Sequence, residues 1–155
     1  MKASTVALAL GLAVAAGGFS AALAQDALQV IDQRQNTMKA QGKDLAAVKA
    51  FIDGKGDIAA ARAGGAELTK TIPAIPTLFP QKSGMAEYPG KSYAKPEIWA
   101  QWDKFVAAVN NANTRAAELN AALTTGDKAA ITTAFETMGK NGCGGCHTAF
   151  RQPKS

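Results

Sequence analysis

Five consecutive residues late in the 155-residue chain, Cys143-Gly144-Gly145-Cys146-His147, combine two thiols with the only histidine in the sequence. Thiols three positions apart share one side of a helix, and each can add across a vinyl group of a haem. The adjoining imidazole then sits beneath the iron as an axial ligand. Gly144 and Gly145 carry no side chain, so a macrocycle can approach the backbone closely. Three other chemistries use parts of this pattern. A dithiol redox centre opens a helix in a strand–helix fold, and no segment here reads as a strand. A zinc site needs a fourth ligand, whereas Cys143, Cys146 and His147 exhaust the cysteines and histidines. A disulfide closing so short a loop removes little entropy from the unfolded chain. Covalently attached haem c, with iron on His147, is therefore the expectation.

The other face of the iron needs a residue from another helix. Met38 offers a thioether sulfur on the apolar stripe of the first helical pattern, where it either ligates the iron or simply packs the core. Met138 is too close to Cys143 on the same helix to reach round the ring, Met85 falls in a loop, and Met1 leaves with a leader. Arg34 precedes Met38 by one turn, so its guanidinium either pairs with a haem propionate or stays in solvent. Arg151, four residues after His147, is placed to flank that ligand or the haem edge. No acid–base pair or nucleophile–base set accompanies the motif, so catalysis is not expected.

Four helical patterns must position these groups. The first runs from about Asp26 to Ile52, with Leu28, Ile31, Gln35, Met38, Gly42, Leu45, Val48 and Ile52 on one stripe. Asp57 can cap the second, which carries Ile58, Ala61, Leu68, Ile72 and Ile75; Gly64-Gly65 weakens its middle, and Pro73 and Pro76 kink or end it. An aperiodic stretch from Gln81 to Lys95 reads as the long loop. Pro96 opens the third helix, whose stripe Ile98, Trp102, Phe105, Val109, Ala112, Ala116, Leu119, Leu123 alternates steps of four and three. That stripe places Trp102 in the core, while Trp99 covers the haem or faces the loop. Gly126 ends the helix, and Asp127 caps a fourth that carries Ile131, Phe135 and Met138 onward through the cysteines to Phe150. Short links make hairpins of the first and last pairs. The expected fold is an all-α, antiparallel up-down four-helix bundle.

Composition sets further limits. Forty-seven per cent of residues are hydrophobic, too many for a disordered chain, and two cysteines cannot form a disulfide framework. The net charge of +5 is dispersed along the chain, which can steer an acidic redox partner but gives no support to nucleic-acid binding. Lys2, an apolar run over Val6–Val14 and Ala22-Leu23-Ala24 predict a cleaved export signal over 1–24 and a haem domain over 25–155. The alternative is an uncleaved anchor; no later segment is long and apolar enough to span a bilayer.

A haem motif at the end of the fourth helix, Arg34-Gln35 in the first and Lys95-Pro96-Glu97-Ile98-Trp99 opening the third resemble the class II c-type cytochromes, which include cytochrome c′ and low-spin His/Met relatives. The resemblance runs from about Asp26 to Arg151. It implies a left-handed bundle, thioether bonds at Cys143 and Cys146, His147 as proximal ligand, and Arg151 beside it. Low-spin members ligate iron with a methionine at the place of Met38; cytochrome c′ there only covers an open iron. The implied function is a periplasmic one-electron carrier meeting periplasmic redox proteins. The alternative is a five-coordinate protein that binds nitric oxide or carbon monoxide. The resemblance also allows a homodimer, since cytochrome c′ often pairs through its first helix; the exposed face with Lys39, Lys43 and Asp44 offers no clear apolar patch, which leaves the oligomeric state open.

Overall fold

The computed structural model describes the backbone of residues 17–153 and side chains from Asp26 onward, so most of the expected export signal lies outside the described residues. Four rods run up and down. The first is a single helix, α1 (Gly17–Ile52), which begins earlier than the apolar stripe suggests. The second is α2 (Ile58–Thr71), capped by the Asp57 carboxylate accepting from the Ala60 amide, followed by a 3-10 turn over Ile72–Leu78. Pro73 and Pro76 remove the donors an α-helix needs there, and the tighter three-residue repeat aligns Ile72, Ile75 and Leu78 towards the core.

The third rod is broken where the sequence reads as continuous. A short helix, α3 (Glu97–Ala100), and a long one, α4 (Trp102–Thr125), meet at Gln101, whose backbone leaves the helical region at φ −131° and ψ 47°. From Phe105 onward the predicted stripe holds, with Phe105, Val109, Ala112, Ala116, Leu119 and Leu123 all buried. The break shifts the register upstream, so Trp102 is not core: it is 37% exposed, its ring leaning on Phe105 at 5.3 Å. Trp99 faces the loop instead, donating from Nε1 to the Phe79 carbonyl at 3.1 Å.

Gly126, left-handed at φ 74°, ends α4, and the Asp127 carboxylate caps α5 (Lys128–Thr137). A π-helical turn over Met138–Cys143 interrupts the fourth rod before α6 (Gly144–Phe150). The rods pack in sequence order, α1 on α2, α2 on α4 and α4 on α5, and α1 on α5 closes the bundle. Gly64-Gly65, expected to weaken α2, lets helices approach: a Cβ on Gly64 would lie 2.7 Å from the Asp44 carbonyl oxygen of α1. Among the described residues, none of the helices is long and apolar enough to cross a membrane.

Candidate haem site

Between the rods lies a cavity of about 380 Å³, within the size range of small-molecule and cofactor sites. One wall is α1, with Arg34, Met38, Gly42 and Leu45; the facing wall is the fourth rod, with Met138, Cys143, Cys146 and His147. Ile72, Ile75, Ile98, Phe105 and Val109 make the sides apolar. The sequence-predicted residues Met38, Arg34, Cys143, Cys146, His147 and Arg151 all reach this one space.

The chemistry of these groups follows from their burial. Both cysteines are free and half-buried against the core. Burial raises the pKa of the Cys143 thiol; burial, then the neighbouring Cys143, pushes Cys146 up to about 11. Burial lowers the pKa of His147, and the charge of Arg151 lowers it further. At neutral pH the thiols are therefore protonated and the imidazole neutral, with a lone pair free for a metal. Among the described residues no group of three His, Cys, Asp or Glu side chains converges as a metal cage.

Arg34 is the surprise. It is 4% exposed, so the solvated reading fails. Its NH1 donates to Ser83 Oγ at 2.9 Å and to the Leu78 carbonyl at 3.4 Å. NH2 donates to the Ser83 carbonyl and to Ser92 Oγ at 2.7 Å, and the guanidinium lies 4.7 Å from the Phe79 ring centroid. Burial lowers its pKa to about 10, which still leaves it charged at neutral pH. Any propionate would have to share a guanidinium already bound to four oxygens. Nothing in the sequence marks these partners, because they lie 44 to 58 residues away.

Arg34 thereby straps the 79–96 loop to α1, and Gln35 adds a bond from Nε2 to the Lys91 carbonyl at 2.6 Å. The loop's other end is tied to the fourth rod. Ala94 and Arg151 form an antiparallel bridge, Lys95 N–H donates to the Phe150 carbonyl, and Gln152 N–H to the Tyr93 carbonyl. Lys82, beside the strapped Ser83, is left-handed at φ 60°, a conformation that costs a non-glycine residue about 1 kcal/mol. Replacing Arg34 with Met removes the donors and leaves buried oxygens unsatisfied. We expect a loss of about 3 kcal/mol in chemical denaturation and faster proteolysis within residues 79–96. Lys in its place should restore little, since an ammonium cannot span the same fork of acceptors.

A haem fits what is present. The walls are apolar, both thiols and the imidazole face inward from one rod, and the open side carries Lys39 and Arg151, both exposed, with no carboxylate among the described residues that line the space. Propionates would meet cations there. Comparisons with known proteins agree. The profile of the family described as Cytochrome C′ matches residues 29–151. The chain belongs to the cytochrome c′ family. Among similar proteins, the cytochrome c′ of Pararhodospirillum photometricum is 32% identical over 124 residues, covering 79% of this chain and 95% of that one. The cytochrome c-556 of Agrobacterium fabrum is also 32% identical, over 80% of this chain and 82% of that one. In structure, oxidized cytochrome c556 of R. palustris has a TM-score of 0.70 at 26% identity, covering 81% and 98% of the two chains. Cytochrome c′ from Thermochromatium tepidum, at 23% identity and TM-score 0.74, covers 82% and 97% and shares the fold. The cofactor of this cytochrome c′ family chain is covalently attached haem c, and the Cys-x-x-Cys-His motif is of the type that attaches it.

Proposed function

We propose that the chain is a periplasmic one-electron carrier, exported by a signal over residues 1–24. In this reading Cys143 and Cys146 hold the haem through thioether bonds, and His147 and Met38 ligate the iron from opposite walls. When bound, haem supplies a metal that alternates between ferric and ferrous states. The observation that carries the reading is the make-up of the α1 wall. Of its polar side chains facing the cavity, Arg34, Gln35 and Gln41 are already bound, to the loop and, for Gln41, to Thr71 Oγ1 at 3.0 Å. Lys39 is exposed. The half-buried thioether of Met38 is the soft donor that this wall leaves for the iron.

The rods supply what electron transfer needs from a protein. Rigid packing keeps His147 and Met38 at a fixed separation in both oxidation states, so little rearrangement accompanies the change of charge. Lys39 and Arg151 on the open side give an acidic redox partner a place to approach. The test is an absorption spectrum of the reduced holoprotein with and without carbon monoxide. Sharp low-spin bands that ignore the gas support the carrier. A high-spin spectrum that shifts with carbon monoxide replaces it with the gas-binding reading, in which Met38 only covers the iron.

A further inference from the structure

The π-turn over Met138–Cys143 has no counterpart in the sequence pattern, yet it separates the core stripe of the fourth rod from its haem motif. Met138 N–H still bonds back to Ala134 and Phe135, but Gly144 N–H donates to the Gly139 carbonyl, five residues earlier. A single such turn absorbs one extra residue into the helix. That residue decides which way the motif faces. In an uninterrupted α-helix, about 100° per residue would leave Cys146 about 80° from Met138 but place Cys143 about 140° and His147 about 180° away from it. Met138 is fully buried, so both groups would point away from the core. With one residue absorbed, the same arithmetic brings Cys143 to about 40°, Cys146 and Phe150 to about 20° on either side, and His147 to about 80°. The structure agrees, for all four line the cavity with Met138.

The turn is held from outside its own rod. Asn111 of α4 donates from Nδ2 to the Asn141 carbonyl at 2.7 Å. Gly142 is buried against Met138, where a Cβ would lie 2.9 Å from Met138 Sδ. We infer that the π-turn is the device that rotates the haem motif into the bundle, with Asn111 as a positioning residue that stabilises the turn. This rests on the attachment and ligation proposed above for Cys143, Cys146 and His147.

Removing Lys140, which is exposed within the turn, shortens the rod by the absorbed residue and lets it relax to α-helix. With holoprotein matured in a haem-attaching host, the deletion is expected to keep the porphyrin mass and far-UV helicity. It should lose the parental axial-ligand bands, whereas Lys140→Ala keeps them. A helical, haem-bearing deletion variant with the parental spectrum overturns the inference. If the deletion variant does not fold, Asn111→Asp decides, because it keeps the side-chain shape and removes the donor. Altered ligand bands together with roughly tenfold faster amide exchange over Gly139–Gly144 support the role, and parental values of both sink it. Absence of porphyrin mass on the parent protein would instead defeat the attachment reading, a result distinct from either.

Discussion

Met38→Leu is expected to convert a reduced protein indifferent to carbon monoxide into one that binds it, with the low-spin bands lost. Leucine keeps nearly the volume of methionine, so the α1 wall and the fold should survive with stability changed by less than about 1.5 kcal/mol. What disappears is the sulfur. A thioether favours the reduced iron, so its loss should also lower the midpoint potential by at least about 0.1 V, within the roughly 0.8 V range that axial ligands command. Potentiometric titration followed in the visible bands measures both effects. Identical spectra, potentials and gas responses for parent and variant would show that Met38 only packs against the iron.

Cys143→Ala combined with Cys146→Ala should have the largest consequence for stability. The protein loses its covalent porphyrin, read directly by intact mass. The space between the rods then has nothing to fill it. At roughly 24 cal/mol per Å³, an unfilled volume of about 380 Å³ costs about 9 kcal/mol, an upper bound because water can enter from the open side. Whole domains have only about 5–15 kcal/mol in hand. The double variant should therefore lose sharp side-chain NMR dispersion and cooperative thermal unfolding while keeping much of its helicity. A cooperative transition at the parental temperature would show that the four rods do not depend on the group they enclose.

Much of this architecture was legible because it is local. Asp57 and Asp127 cap where short polar side chains before apolar runs predict caps, and the Phe105–Leu123 stripe is buried as its 3.5-residue spacing requires. The haem motif is contiguous, so no tertiary knowledge was needed to find it. What escaped was set by distance or by register. Arg34 finds its partners on a loop whose approach to α1 no periodicity encodes. The break at Gln101 carries neither proline nor glycine, so the unbroken spacing points Trp102 into the core. The π-turn lies in a run whose glycines fit several helical forms equally well. In a regular α-helix Cys146 falls within about 20° of Phe135, and only Cys143 and His147 turn away from it, by about 80° and 120°.

The double anchoring of the 79–96 loop bears on the order in which the chain can assemble. Its ties to α1 and to Phe150–Gln152 join stretches of polypeptide more than forty residues apart on each side, and such distant closures form late and slowly. During synthesis the segment bearing the thiols emerges after the other three rods. Until its final turn docks, Cys143 and Cys146 remain on a chain that is not yet shut. Tethering chemistry thus has a natural window, after the fourth rod is made and before the last knot is drawn.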